Sequence, residues 1–249
     1  MKLLCFTSAK GGVGTSFILS CTAFALAGMG KKCLVADMCT ERRTLDLYIG
    51  TSDEFVFDMQ DVVSGNCSFE DAVVSVRDRV DFISCPCEYP TLTDVLTKSG
   101  GGYDYILADC PWEYTVSQDF GVSETLLIVT NCDRASARCA EKLVYDITSD
   151  CEKYLVINNI IPELIEKGYH LNVDDICDLC GVAPIGLIPY EPLAVTGDAM
   201  LLSDTQSLNL SCAIGNMARR IEGESVSAIS FDGKTHFSKL MKKYSRRND

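Results

Sequence analysis

Apolar residues along this chain come in short unbroken blocks, separated by longer stretches in which apolar and polar positions mix. The blocks at residues 3–8, 33–37, 80–84, 105–109, 125–130, 154–158 and 185–189 have the length of buried strands. Between them, residues 15–29, 136–148, 173–179 and 210–221 read as helices, the first closed by Gly30. A strand that is apolar on both faces needs cover on both. The alternation therefore predicts an α/β fold, with a mostly parallel central sheet and helices on each face. Ligands of such folds bind beyond the carboxyl ends of the strands. No internal repeat and no low-complexity tract interrupts the pattern.

The chain has 249 residues, 47% hydrophobic and 23% charged, the ordinary mix of a globular protein. A chain of this size buries roughly three quarters of its unfolded surface, so its core needs neither metal nor disulfides. No apolar run reaches the about 18 residues of a membrane span, and the segment before the first glycines is too short for a secretory leader. The 14 cysteines are then expected to be free thiols, and Cys5, Cys21 and Cys33 lie inside apolar blocks as small core residues. Cys85 with Cys87, and Cys177 with Cys180, have the spacing of zinc half-sites. Four ligands are not assembled from these pairs and two histidines in any standard spacing.

The net charge of −13 is unevenly spread. Residues 231–249 hold six basic and two acidic residues, leaving 16 basic and 33 acidic residues, a charge of −17, for residues 1–230. An acidic body repels polyanions, so nucleic acid is not an expected partner. Within the basic end, Phe237, Leu240, Met241 and Tyr244 recur at helical spacing, with Lys239, Lys242, Lys243, Arg246 and Arg247 on the other faces. A basic amphipathic helix of this kind lies in a membrane interface with its cations at anionic headgroups. A soluble tail, or a helix docked on the acidic body, is the plainer alternative.

Lys10-Gly11-Gly12-Val13-Gly14-Thr15-Ser16 falls between the first strand and the first helix. Glycines there let backbone N–H groups turn inward around a phosphate, and the helix adds its positive end. Ser16 places a hydroxyl where the Mg2+ of a nucleotide sits. The alternative is a tight turn.

The loop resembles the deviant Walker A motif, KGGVGK[ST], of the MinD/ParA family of P-loop ATPases, and the likeness runs down the whole chain, nearest to its MinD branch. Leu34-Val35-Ala36-Asp37 with the stretch from Arg43 to Gly50 resembles switch I. Tyr103-Asp104-Tyr105-Ile106-Leu107-Ala108-Asp109-Cys110-Pro111 resembles Walker B and switch II, and Ile128-Val129-Thr130-Asn131 and Gly186-Leu187-Ile188-Pro189 match later landmarks. The resemblance implies a MinD-like P-loop fold binding ATP and Mg2+ and dimerising when loaded. Lys10 would be the catalytic signature lysine reaching the partner's phosphates, against the alternative of a solvated surface lysine. Gly11, Gly12, Val13, Gly14, Thr15 and Ser16 would cradle phosphate. Ser16, Asp37 and Asp109 would hold Mg2+, the two carboxylates otherwise being strand-end caps. Asn158 and Pro189 would lie at the adenine, although Asn158 and Asn159 could equally close a turn.

Three departures bear on catalysis. Thr15 stands where the family has its P-loop lysine, Cys39 where it has a second switch I aspartate, and Glu113 where switch II has glycine. Each lost stabiliser is worth a few kcal/mol of barrier, about a hundredfold in rate. Lysine-less loops of this form also resemble those of the TadZ/CpaE pilus-localising branch.

The expectation is an ATP-binding, membrane-associated, dimerising switch that positions a protein cargo, with slow or absent hydrolysis. It would be cytoplasmic and bound peripherally at the inner face of the membrane, serving cell division or pilus placement. Residues 1–222 would form the nucleotide-binding domain, 223–233 a linker and 234–249 the membrane tail. The alternatives are an active MinD-like ATPase and an iron–sulfur carrier. Residues 174–181 read as one amphipathic helix rather than a cluster-binding motif.

Overall fold

The computed structural model describes residues 1–39, 44–51, 56–85, 91–118, 120, 124–192 and 208–226. Eight strands appear in chain order: β1 Lys2–Thr7, β2 Cys33–Asp37, β3 Val74–Arg77, β4 Val80–Ser84, β5 Tyr105–Asp109, β6 Glu124–Asn131, β7 Glu152–Ile160 and β8 Pro184–Pro189. The helices among the described residues are α1 Thr15–Gly28, α2 Leu45–Ile49, α3 Met59–Ser64, α4 Phe69–Ala72 and α5 Leu92–Lys98. They continue with α6 Trp112–Ser117, α7 Arg134–Asp146, α8 Pro162–Glu166, α9 Val173–Cys180 and α10 Leu208–Ile221. The strands form one sheet in the order β3-β4-β2-β5-β1-β6-β7-β8.

The seven strands expected from apolar blocks are all present, with β7 extended by two residues at each end. β3 is the strand that the pattern did not reveal. It has four residues, is half-exposed, and pairs antiparallel with β4 at the sheet's edge, where one-sided cover removes the need for an apolar block. The short helices α2 to α6 and α8 also escape a periodicity reading, because four to seven residues complete barely two turns.

Two compact units make up the chain. The first comprises Met1–Phe6 and Ser16–Pro111. Here β2 runs parallel to both β4 and β5, and Asp37 is the register partner of Asp109. Almost every side of α1 is buried, and its hydroxyls are satisfied locally: Ser20 donates to the Ser16 carbonyl and Thr22 to that of Ile18. Capping boxes at Asp58, Ser68 and Thr91 start α3, α4 and α5.

The second unit contains Thr7–Thr15, Trp112–Pro192 and α10. β6, β7 and β8 run parallel, with Asn131 opposite Asn158. Asp133 caps α7, which begins two residues earlier than its apolar periodicity indicates. α10 lies on β8, where the Arg220 guanidinium donates to the Ile185 carbonyl over 2.9 Å. Residues 174–181 fall in the single helix α9 and its Gly181 cap, as expected.

Cys5, Cys21, Cys33, Cys177 and Cys180 are buried and in no disulfide. Burial pushes the Cys21 and Cys180 thiols up to about 12, which makes them inert. Among the described residues no cluster of three metal-ligating side chains exists, and no helix is long and apolar enough to cross a membrane. Cys87, Arg43, most of the 223–233 segment and the entire 234–249 tail lie outside the described residues.

Candidate functional site

In the second unit, the segment from Ser8 to Thr15 turns on two glycines in the left-handed region, Gly12 at φ 78° and Gly14 at φ 95°. Gly11 and Gly12 are exposed, and Val13 is a buried anchor between them and Gly14. The loop's two ends are tied together: Thr15 Oγ1 donates to Ser8 Oγ over 2.9 Å, and Ser8 Oγ to the Lys10 carbonyl over 3.3 Å. Asn158, at the carboxyl end of β7, is buried beneath it and donates from Nδ2 to the Val13 carbonyl over 2.8 Å. Pro189 ends the neighbouring β8.

Lys10 is neither a free surface cation nor extended away from its own chain. Its Nζ reaches Asp133 Oδ1 at 3.0 Å and Oδ2 at 3.2 Å, and Ser136 Oγ at 2.9 Å. Asp133 also accepts from the Ser136 N–H, as the α7 cap, and from the Ser136 hydroxyl. Burial raises the Asp133 carboxyl, but the bonds from Ser136 and then the Lys10 ammonium outweigh it and lower it to about 2. Sequence reading missed Asp133 and Ser136. The Asp-x-x-Ser spacing at a helix start was the available signal, and it marks only a cap. It also missed the buried hydroxyl pair in which Thr115 of α6 donates to Thr7 at the end of β1, 3.1 Å apart.

In the first unit, Ser16 Oγ donates to Asp109 Oδ2 over 2.5 Å. Asp37 and Asp109 sit side by side at the carboxyl ends of β2 and β5, both almost fully buried. Burial pushes the Asp109 carboxyl up to about 6, opposed by the Ser16 hydroxyl. Cys39 binds the same pair through its backbone N–H, which donates to Asp37 Oδ1 over 2.9 Å, and its thiol, 3.8 Å from the Asp109 carbonyl. Glu113 is exposed in the first turn of α6. Two carboxylates and a hydroxyl suit a hard cation that keeps waters and takes its other ligands from phosphate, as Mg2+ does. They are too few to make an all-protein cage.

A mostly parallel sheet with a glycine loop between its β1 and α1 defines the class: a MinD-like P-loop nucleotide-binding fold. Sequence and structure comparisons point to one group within it. The chain is 26% identical to the septum site-determining protein MinD of Synechocystis, over 92% of both chains. It is 25% identical to that of Helicobacter pylori, over 95% of this chain and 96% of the relative. It superposes on a chain of the MinC:MinD cell division protein complex of Aquifex aeolicus with a TM-score of 0.78 and 29% identity, over 93% of this chain and all of the other. The MinD of Pyrococcus horikoshii complexed with Mg-ADP shares the fold at a TM-score of 0.69 and 19% identity. No protein-family profile matches the chain. The relatives and structures are thus MinD proteins and other members of the MinD/ParA group, to which this chain is similar over nearly its whole length.

Proposed function

We propose that this chain is a MinD/ParA-type switch that binds ATP with Mg2+, dimerises when loaded, and hydrolyses slowly or not at all. The observation that carries the reading is the chemistry of the loop. Glycines 11, 12 and 14 leave its backbone free to approach a phosphate, yet Thr15 offers no cation and directs its hydroxyl to Ser8. Lys10 is the one cation between Ser8 and Ser16, and Asp133 already neutralises it. Backbone N–H groups then bind the polyphosphate, while the charge that would stabilise the transferring phosphoryl group is weak.

Ser16, Asp37 and Asp109 would hold the Mg2+, which supplies charge neutralisation at the phosphates when bound. Lys10 must leave Asp133 before it can serve a partner's nucleotide, so dimerisation is opposed by its existing ion pair. The basic amphipathic tail, residues 234–249, would attach the loaded dimer to anionic lipid, two weak anchors acting together. That gives a cytoplasmic protein recruited peripherally to the inner face of the membrane. The resemblance to MinD favours division-site placement of a protein cargo, and the lysine-less loop favours a pilus-localising role.

The test is calorimetric titration with Mg-ATP alongside single-turnover hydrolysis. Micromolar binding with turnover at least a hundredfold below an active MinD is expected. A rate equal to that of MinD would establish the active-ATPase alternative instead, and no binding at millimolar nucleotide would remove the switch altogether.

A further inference from the structure

Asn158 occupies an unusual position. It is 5% exposed, and its Nδ2 meets the loop twice: as donor to the Val13 carbonyl at 2.8 Å, and as the atom closest to Gly14. A Cβ built on Gly14 would lie 2.5 Å from that nitrogen. The glycine is therefore demanded by the asparagine as well as by its own φ of 95°.

The backbone around Asn158 is shaped for this contact. Asn159 has φ 54°, rare for a residue other than glycine, and the register with β8 slips between Ile157 and Ile160. The extra residue is a bulge beside Asn158. Asn159 Nδ2 in turn reaches Asn131 Oδ1 at 3.4 Å on the adjacent strand. Asparagine tolerates the left-handed region, so the bulge is accommodated at Asn159 while Asn158 stays turned to the loop.

The contact has a geometric consequence. In a planar trans peptide the C=O and the following N–H point in opposite directions. Holding the Val13 carbonyl against Asn158 turns the Gly14 N–H to the side away from Asn158. We propose that Asn158 is a positioning residue for the phosphate loop, fixing the Val13–Gly14 peptide so that neutral hydrogen bonding does the aligning that a P-loop cation does elsewhere. This rests on the nucleotide-binding reading above and replaces the expectation that Asn158 reads adenine. With Thr15 tied to Ser8, the loop is held at both ends and from beneath.

The full chain distinguishes the two roles by titration with Mg-ATP and with Mg-tripolyphosphate, which has no base. Asn158→Leu keeps the volume and removes the donor, and Asn158→Ala is a second neutral variant. Each is measured below its own melting temperature, so that loss of fold is not read as loss of binding. A positioning role predicts that both ligands weaken together, by about tenfold, the worth of one hydrogen bond. Loss of ATP binding with tripolyphosphate unchanged would make Asn158 a base reader and overturn the proposal, as would no change for either ligand. Wild-type protein that binds neither ligand would instead overturn the nucleotide reading itself. Gly14→Ala gives an independent arm. It should cost less affinity for tripolyphosphate in the Asn158→Ala background than in wild type, and equal costs in both would count against the contact.

Discussion

Lys10 Nζ and Asp133 Oδ1 lie 3.0 Å apart, joining the glycine loop to the cap of α7 by an ion pair that Ser136 completes. The Asp133 carboxyl titrates at about 2 in the folded chain against an ordinary value of 3.8. A depressed acid contributes stability that is complete above pH 3.8 and disappears as the pH falls towards 2. Wild type should therefore lose stability across that interval more steeply than Asp133→Asn, with both read by urea denaturation at stepped pH. Parallel curves would mean that the pair contributes nothing to folding.

The Asp109 carboxyl has the opposite dependence. Raised from 3.8 to about 6, it favours the folded state most below pH 3.8, and that contribution is lost as the pH rises through 6. Asp109→Asn keeps an acceptor for Ser16 without the buried charge. The variant should gain melting temperature relative to wild type at pH 8, with the gap closing at pH 4. A variant less stable than wild type at pH 8 would contradict the burial argument.

Gly12 and Gly14 share a left-handed backbone but not their surroundings. Nothing lies within 4 Å of a Cβ at Gly12, whereas Asn158 blocks one at Gly14. Gly12→Ala should cost about 1 kcal/mol of strain. Gly14→Ala should cost more and lower Mg-ATP affinity by at least tenfold, measured by calorimetry. The reverse order of severity would refute the crowding.

At Gly186 on β8, a Cβ would overlap the Met217 sulfur of α10 and come within 3.1 Å of Val156 Cγ1. Overpacking of this kind costs about 1–3 kcal/mol. Gly186→Ala should lower the urea midpoint, and Met217→Ala should recover part of the loss in the double variant. Simple additivity would show that α10 yields without strain.

The tail is tested on lipid. If the tail binds as proposed, Phe237→Glu or Leu240→Glu would place a charge among its apolar residues and should release the loaded protein from anionic liposomes, read by co-sedimentation. Retention at the wild-type level would overturn the tail as the lipid anchor.

The parts of this protein that depend on near neighbours were readable in the residues. An apolar block such as Cys33-Leu34-Val35-Ala36 becomes β2 because only a doubly covered strand hides it, and the glycines at 11, 12 and 14 announce a tight turn before α1. Helix α9 follows from its own periodicity. Edge strand β3 was not legible, because its half-exposed residues obey no strict alternation.

Where the polar side chains of the loop direct their hydrogen bonds is set by long-range packing. Lys10 meets Asp133 across 123 positions, and Asn158 meets Val13 across 145. No local pattern encodes such pairings: they exist only once the strands have stacked and brought their carboxyl ends to one side. The residues alone determined strand, turn and helix through backbone sterics and the hydrophobic effect. The partnering of a buried amide or a half-buried ammonium is a property of the assembled sheet, since burial is what makes an unmet hydrogen bond costly enough to choose.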